Sequence, residues 1–464
     1  MDGQPHIAKS VTSPLTRGML IDLGEAISKV PQRGLAELGE HDLPAGYTYL
    51  GQFIDHDLQR FATADTPLMG TIHGDGKVPR ARPELDLASL YGTGFSEPFV
   101  DQQSGKLKVK KLGSGAYDFI RGDAGAPLIA DTRNEENLLI AQLHVLFIRF
   151  HNAVVKQLSA QPNTANSPTA LYDMARQIVT ARYLHIVVHD FLKRILWDEV
   201  WTAYFGAADC MDTLFSEQEL AGTNAFNTAV FRFGHAMVRP EYVLNEHKTR
   251  LTLRQLFNYR AGSDYFTSGF THIPPEVCVN WTRFFYTPDE FRAQPKGKQA
   301  AVHLSPKNTI VIPGLMWPNN VLAIRNLLRS WNENTPLAQV YENKIAALPV
   351  RAVLSDFPLL TPDNMDTPVT SLFAQVANGD VLKHHTPLWY YILREAQYVQ
   401  HTPAIRRKGY LGPLASVIVA SAFKQILQNS VSALPGVPDM PGMASALAVS
   451  DMPGLLTFVL LNEE

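Results

Sequence analysis

The chain has 464 residues, with 44 acidic against 41 basic side chains, 45% hydrophobic residues and 18% charged ones. That balance describes a globule with a substantial core, and it argues against a disordered chain, a basic nucleic-acid binder or a protein drawn electrostatically to anionic membrane. Two cysteines, Cys210 and Cys278, are too few for a disulfide framework or a thiolate metal cage.

Met1 to Ser13 is polar and lacks an apolar h-region, so no secretory signal is expected; a cytoplasmic location is favoured, with signal-independent export as the alternative. From Tyr47 to Leu58 the spacing predicts a two-faced helix: Leu50, Phe53, Ile54 and Leu58 make an apolar stripe, while Gln52, Asp55, His56 and Gln59 fall at i, i+3, i+4 and i+7 on another face. A short strand is expected at Leu107–Leu112. Asp131 and Thr132 are available to cap a long helix marked by Leu139, Leu143, Leu146, Phe147, Phe150 and Val154. A second long helical segment runs from Tyr172 to Val200 and is apolar on most sides, as a deeply buried element would be. Another short strand is expected at Thr309–Ile312, and further helices at Asn319–Trp331, Pro387–Val399 and Leu414–Gln428. The longest apolar run, Leu414–Phe423, contains two serines and is far short of the roughly 20 residues of a membrane span. Proline and glycine collect in loops such as Gly70–Pro83 and Pro435–Gly442. The expected fold is mainly α: a single large helical domain over 40–430 with long loops and few short strands, an N-terminal extension over 1–39 and a C-terminal segment over 431–464.

Three clusters carry chemistry. Gln52, Asp55 and His56 project an amide, a carboxylate and an imidazole from one helix; the bland alternative is a solvated face with an incidental histidine. In Asp131-Thr-Arg-Asn-Glu-Glu-Asn137, acidic residues suit a helix start, but Glu136 is in phase with the buried side and Arg133 lies three residues before it, so both can reach one site. In Phe231-Arg-Phe-Gly-His235, an imidazole sits among aromatic residues beside Gly234, which allows a flat or bulky group to approach. Such a histidine is either a satisfied core residue or a haem-iron ligand.

In this order the three clusters resemble the animal-type haem peroxidases of the peroxidase–cyclooxygenase superfamily, in particular their bacterial branch. Gly51-Gln-Phe-Ile-Asp-His-Asp57 resembles the distal-histidine motif, Asp131–Asn152 the distal-arginine helix, Phe231–His235 the proximal-histidine motif and Leu322–Arg329 the segment of the proximal asparagine. Asp86–Gly92 and Thr386–Glu395 fit flanking patterns of the family. The resemblance implies haem b as cofactor, hydrogen peroxide and a small halide-like or phenolic donor as substrates, and no nucleic-acid partner. It implies His56 as distal acid–base, Arg133 as stabiliser of developing negative charge, and Gln52 as the residue orienting distal water. His235 would ligate iron, with Asn326 accepting its other ring N–H, and Arg232 would pair with a propionate. Asp55 and Glu136 match carboxylates that can form ester links to haem, whereas Asn137 replaces the Met through which some relatives form a sulfonium link.

Asp57 and Asp86 match calcium-ligand positions, but Ala88 and Arg82 stand where the family's loop offers hydroxyls, which makes calcium doubtful. The superfamily's lipid dioxygenases carry a radical-forming Tyr three residues before the proximal histidine. Here that residue is Arg232, which favours a peroxidase over the alternative, a dioxygenase of fatty acids or other organic substrates. Two further alternatives are a family member without haem and a metal hydrolase built on Asp55-His56-Asp57.

Overall fold

A computed structural model describes residues 14–29, 40–61, 77–79, 83–113, 116–122, 125–161, 167–206, 211–214, 225–247, 250–257, 272–293, 296–306, 316–347, 349–350, 354, 360–367, 371–400, 410–433, 446 and 448–462. The fold is mainly α, as the sequence implies. Among the described residues the strands form four two-stranded antiparallel ribbons, including Glu40–Pro44 with Ala300–Val302 and Val109–Lys111 with Tyr117–Phe119. The strand expected at Thr309–Ile312 lies outside the described residues, as does Arg82.

At the centre is the helix Leu138–Ser159, most of whose residues are buried. It is long and apolar enough to cross a membrane, but 89% of its most apolar window is buried inside the protein, so its composition is that of a core element. The helices Gly46–Leu58, Pro168–Ile186 and Met452–Leu461 pack around it. Its cap differs from the sequence expectation. Asp131 instead caps a separate 3-10 turn, Thr132–Glu135, by accepting from the Arg133 N–H, and the side chain of Asn137 caps the long helix by accepting from Ile140. Two caps six residues apart allow the chain to bend between them, and that bend presents Glu136 and Asn137 at the junction instead of on the helix barrel.

The segment expected as one helix from Tyr172 to Val200 is broken up. A regular helix, Pro168–Ile186, passes into a π-helical stretch, Val187–Leu192, then a short turn to Ile195. It stops where Leu196 and Trp197 turn extended, before the short helix Asp198–Trp201. The π stretch carries Asp190, a buried carboxylate that accepts from Tyr47 Oη at 2.7 Å, from Arg194 Nε at 2.5 Å and from the Met452 N–H at 2.8 Å. One side chain therefore fastens the Gly46–Leu58 helix, its own helix and the start of the Met452–Leu461 helix.

The helix Arg17–Ser28 lies on Leu322–Asn332, and a Cβ at Gly24 would fall 2.5 Å from Ile324 Cγ1, so the crossing requires glycine there. Segments from 1–39, 40–430 and 431–464 all contribute to one core.

The helices Leu388–Gln400 and Pro413–Ala433 meet through Glu395, which is buried and accepts from the Leu414 and Ala415 N–H groups at 2.9 and 3.2 Å. Burial pushes its carboxyl up from the usual 4.5 to about 8, against the pull of those two N–H donors. A carboxyl whose folded value is raised binds its proton more tightly in the folded state. Its contribution to stability is complete below about 4.5 and is lost as pH rises through about 8. Denaturant unfolding between pH 5 and 8.5 should therefore show a fall in stability in the wild type that is smaller in Glu395→Gln; equal slopes in the two proteins would refute this.

Candidate active site

The helix Gly46–Leu58 is anchored by its apolar stripe, with Phe53 stacked on Phe147 at a centroid distance of 4.8 Å. Gln52 and His56, one turn apart, face the bend between the two caps. Gln52 Nε2 donates to Glu136 Oε1, and Asn137 Nδ2 donates to Gln52 Oε1 at 3.3 Å. His56 Nε2 lies 3.6 Å from the same Glu136 oxygen. Glu136 Oε2 is buried and makes no hydrogen bond among the described residues. Asp55 is half-buried on the same helix, adjacent to His56 in sequence.

Arg133, 1% exposed, is clamped from two sides. Its Nε donates to both carboxylate oxygens of Asp131 at 3.0 and 3.1 Å, and Nη2 donates to Asp131 Oδ2 and to the main-chain oxygen of His56, both at 2.6 Å. Burial acts to raise the Asp131 carboxyl, but the Arg133 guanidinium outweighs it and holds the carboxyl below its usual range. The same turn is braced from behind. Arg121 pairs with Glu135 and forks onto Asp118 at 3.1 Å, while Asp118 also accepts from the Ile273 N–H at 3.1 Å. Glu135 is thus committed to the brace, and Glu136 to the site.

His56 Nδ1 is 2.8 Å from Asn134 Oδ1, and Asn134 Nδ2 is 2.8 Å from His144 Nδ1. Neither Asn134 nor His144 was expected in the site. His144 reads in the sequence as one more position on the core helix, and Asn134 as a residue of a capping turn. The available signal was that an amide directly follows Arg133 while a histidine interrupts an apolar helix ten residues later.

His235 lies on a 3-10 segment, Val230–Ala236, that packs against the Gly46–Leu58 helix and against Leu388–Gln400. Its Nδ1 is 3.1 Å from Oδ1 of Asn326, which is buried on the helix Leu322–Asn332. Arg232 Nε donates to the Asn227 carbonyl at 3.2 Å, and the Arg232 carbonyl accepts from Trp389 Nε1 at 3.4 Å. The donor set fits haem. With Nδ1 given to Asn326, a neutral His235 presents Nε2 as a lone pair, which is what iron requires. A Cβ on Gly234 would meet no heavy atom within 4 Å, so there is room beside the imidazole for a flat group.

Asp57 and Asp86 are used locally. Asp57 is buried and accepts from the N–H groups of Leu87 and Ser89 at 3.0 and 3.4 Å. Asp86 accepts from the Ala88 N–H at 3.0 Å. Between them Leu87 adopts the left-handed conformation, with φ of +56°, a strain that the Asp57 hydrogen bond helps to hold.

A family model described as animal haem peroxidase matches residues 85–276, which contain Arg133, Glu136 and His235; His56 and Asn326 lie outside that stretch and join the site through the contacts above. Human thyroid peroxidase is 36% identical over 123 residues, covering 26% of this chain and 13% of the relative. The matched segments span between about an eighth and a fifth of the thyroid peroxidases' own length. Among solved structures, peroxidase A from Dictyostelium discoideum aligns with a TM-score of 0.56 and 15% identity, covering 95% of this chain and 89% of that one. Fatty acid alpha-dioxygenase from Arabidopsis thaliana aligns with a TM-score of 0.54 and 14% identity, covering 90% and 71%. These two likenesses concern the fold, while the family match rests on sequence that carries the site. Over residues 85–276 the chain is similar to the animal haem peroxidase family.

Proposed function

We propose that this chain is a haem peroxidase that reduces hydrogen peroxide while oxidising a small donor, halide-like or phenolic. The observation that carries this reading is the pairing of His235 with Asn326, which turns Nε2 toward a ligand, together with a histidine and an arginine coupled through the His56 carbonyl. Haem bound there would supply the iron that polarises peroxide and would hold the two oxidising equivalents taken from peroxide until the donor consumes them.

Around that group the chain's own residues divide the work. His235 would hold the iron through Nε2, and Asn326, as acceptor for Nδ1–H, would fix its tautomer and strengthen it as a ligand. His56 Nε2 would take the proton from one peroxide oxygen and return it to the other, so that water, not hydroxide, leaves. The Arg133 guanidinium would stabilise the negative charge that develops as the O–O bond breaks, and the Asp131 clamp means that it need not reorganise to do so. Gln52, bonded to Glu136 and Asn137, would orient water beside His56. Arg232 would pair with a propionate. A Soret band on the purified protein and peroxide-dependent oxidation of a dye, without oxygen uptake on fatty acids, test the reading; oxygen uptake on a lipid without peroxide would replace it with a dioxygenase.

Asp55 and Glu136 would tie haem covalently by esters, each exchanging a C–H bond of a haem methyl group for a C–O bond, with one hydrogen peroxide as the two-electron oxidant reduced to two waters. The buried Glu136 Oε2 supports this, because a polar oxygen without a hydrogen-bond partner is costly in the interior and an ester bond would satisfy its valence without one. Acid–organic extraction before and after peroxide treatment, with peptide mass spectrometry, should find haem retained on peptides containing Asp55 or Glu136. Haem that always extracts completely would reject the links. Calcium is not expected, since the Asp57 and Asp86 carboxylates already serve main-chain N–H groups and Ala88 offers no hydroxyl. Metal analysis after dialysis against chelator should find none, and one tightly held calcium per chain would overturn this.

A further inference from the structure

Two imidazoles face one amide. An asparagine side chain has an acceptor at one end and donors at the other, so His56 and His144 cannot present the same kind of nitrogen to it. One Nδ1 must donate to Oδ1 and the other must accept from Nδ2. All three side chains are buried, Asn134 completely. The orientation of the Asn134 amide sets the direction, with Nδ2 toward His144 and Oδ1 toward His56. Burial pushes the His144 pKa down to about 3, so the ring is neutral and has one accepting nitrogen, and it lies edge-on to Phe119 and Phe53. Its Nδ1, 2.8 Å from the Asn134 amide nitrogen, is the accepting atom. The amide oxygen is then directed at His56 Nδ1, which must carry the hydrogen.

We propose that Asn134 and His144 are positioning residues that hold neutral His56 in the Nδ1–H tautomer, so that Nε2 is the nitrogen that exchanges protons with peroxide. The opposite arrangement would require both rings to change tautomer and the amide to turn over within a closed core. Glu136 Oε1, 3.6 Å from His56 Nε2, fits the proposed direction, because as a free carboxyl or as an ester carbonyl it is an acceptor facing the nitrogen that gains the proton. No step beyond proton transfer is involved: Nε2 takes the peroxide proton and gives it back, while Nδ1–H stays on Asn134. The role in peroxide chemistry rests on the peroxidase reading, but the tautomer itself does not.

Neutron diffraction from deuterated holoenzyme crystals at alkaline pD reads the tautomer directly. Deuterium is expected on Nδ1 of His56 and on Nε2 of His144; deuterium on Nε2 alone of His56 would overturn the proposal, whether or not the protein turns over peroxide. Kinetics supply the second test, with cyanide association as a readout independent of turnover. Asn134→Leu should slow both cyanide association and the reaction with peroxide by about ten- to a hundredfold, the usual scale for losing a group that orients a functional histidine. Its Soret band and circular dichroism should match the wild type. Asn134→Asp keeps an acceptor toward His56 and should recover most of the rate. If Asn134→Asp is as slow as Asn134→Leu while both retain haem, or if Asn134→Leu reacts at the wild-type rate, the positioning role is wrong. His144→Phe frees the amide to turn over and should give an intermediate rate with a changed pH profile; a wild-type rate and profile there would remove His144 from the relay.

Discussion

His235→Ala should purify without a normal Soret band, with haem content reduced at least about tenfold. The imidazole is the iron ligand on this reading, and removing a ligand is more severe than the ten- to hundredfold usually lost with its hydrogen-bond partner. The partner supplies the control. Asn326→Leu leaves His235 in place but removes the acceptor for Nδ1, so haem should bind more weakly and with an altered ferric spectrum without being lost. A His235→Ala protein with normal haem content, spectrum and turnover would show that the iron is held elsewhere. Circular dichroism separates loss of haem from loss of fold, because the 3-10 segment keeps its packing of Phe231 on Phe226 and Phe423 in either variant.

His56→Ala should slow the first reaction with peroxide by about two to four decades, the range general acid–base catalysis supplies. The substitution isolates the imidazole. The Arg133 guanidinium is anchored on the main-chain oxygen of residue 56 and on Asp131, neither of which the change removes, so the charge stabiliser should stay where it is. Haem binding should persist, because the ligand comes from a different segment. Arg133→Ala is the complementary experiment. It leaves the half-buried Asp131 carboxylate without its clamp, so some of its effect should appear as lost stability, and Arg133→Lys should recover stability better than rate because a point charge does not reproduce the fork. Stopped-flow traces with an unchanged rate in His56→Ala would remove the acid–base role.

Much of this was legible before any coordinates. The Gly46–Leu58 helix announces itself because its apolar and polar positions separate cleanly, and the same separation puts Gln52 and His56 on one face. Leu388–Gln400 and the start of Pro413–Ala433 fall within a residue of where their periodicity places them. The misses have physical causes. Asp131 and Asn137 are both good caps, and nothing local says that the first belongs to a 3-10 turn and only the second to the long helix. The π stretch at Val187–Leu192 is invisible because its apolar run fits either winding, and the buried Asp190 finds its partners on other elements. His144 was hidden for a similar reason: a polar residue on a core helix shows its purpose only through a partner in another turn, here Asn134. Geometry created by a bend between two caps has no periodicity to betray it.

Asp190 also bears on the order in which the protein can be made. Its bond to Tyr47 spans 143 residues and its bond to Met452 spans 262. On a ribosome, the helix that carries Gln52 and His56 emerges early, yet the carboxylate that steadies it is not fully coordinated until residue 452 has left the exit tunnel. Pairings this distant in sequence close late, since loop closure must precede the contact that rewards it. The nascent chain therefore holds the Gly46–Leu58 helix on a provisional footing until the far later Met452–Leu461 segment completes its anchoring.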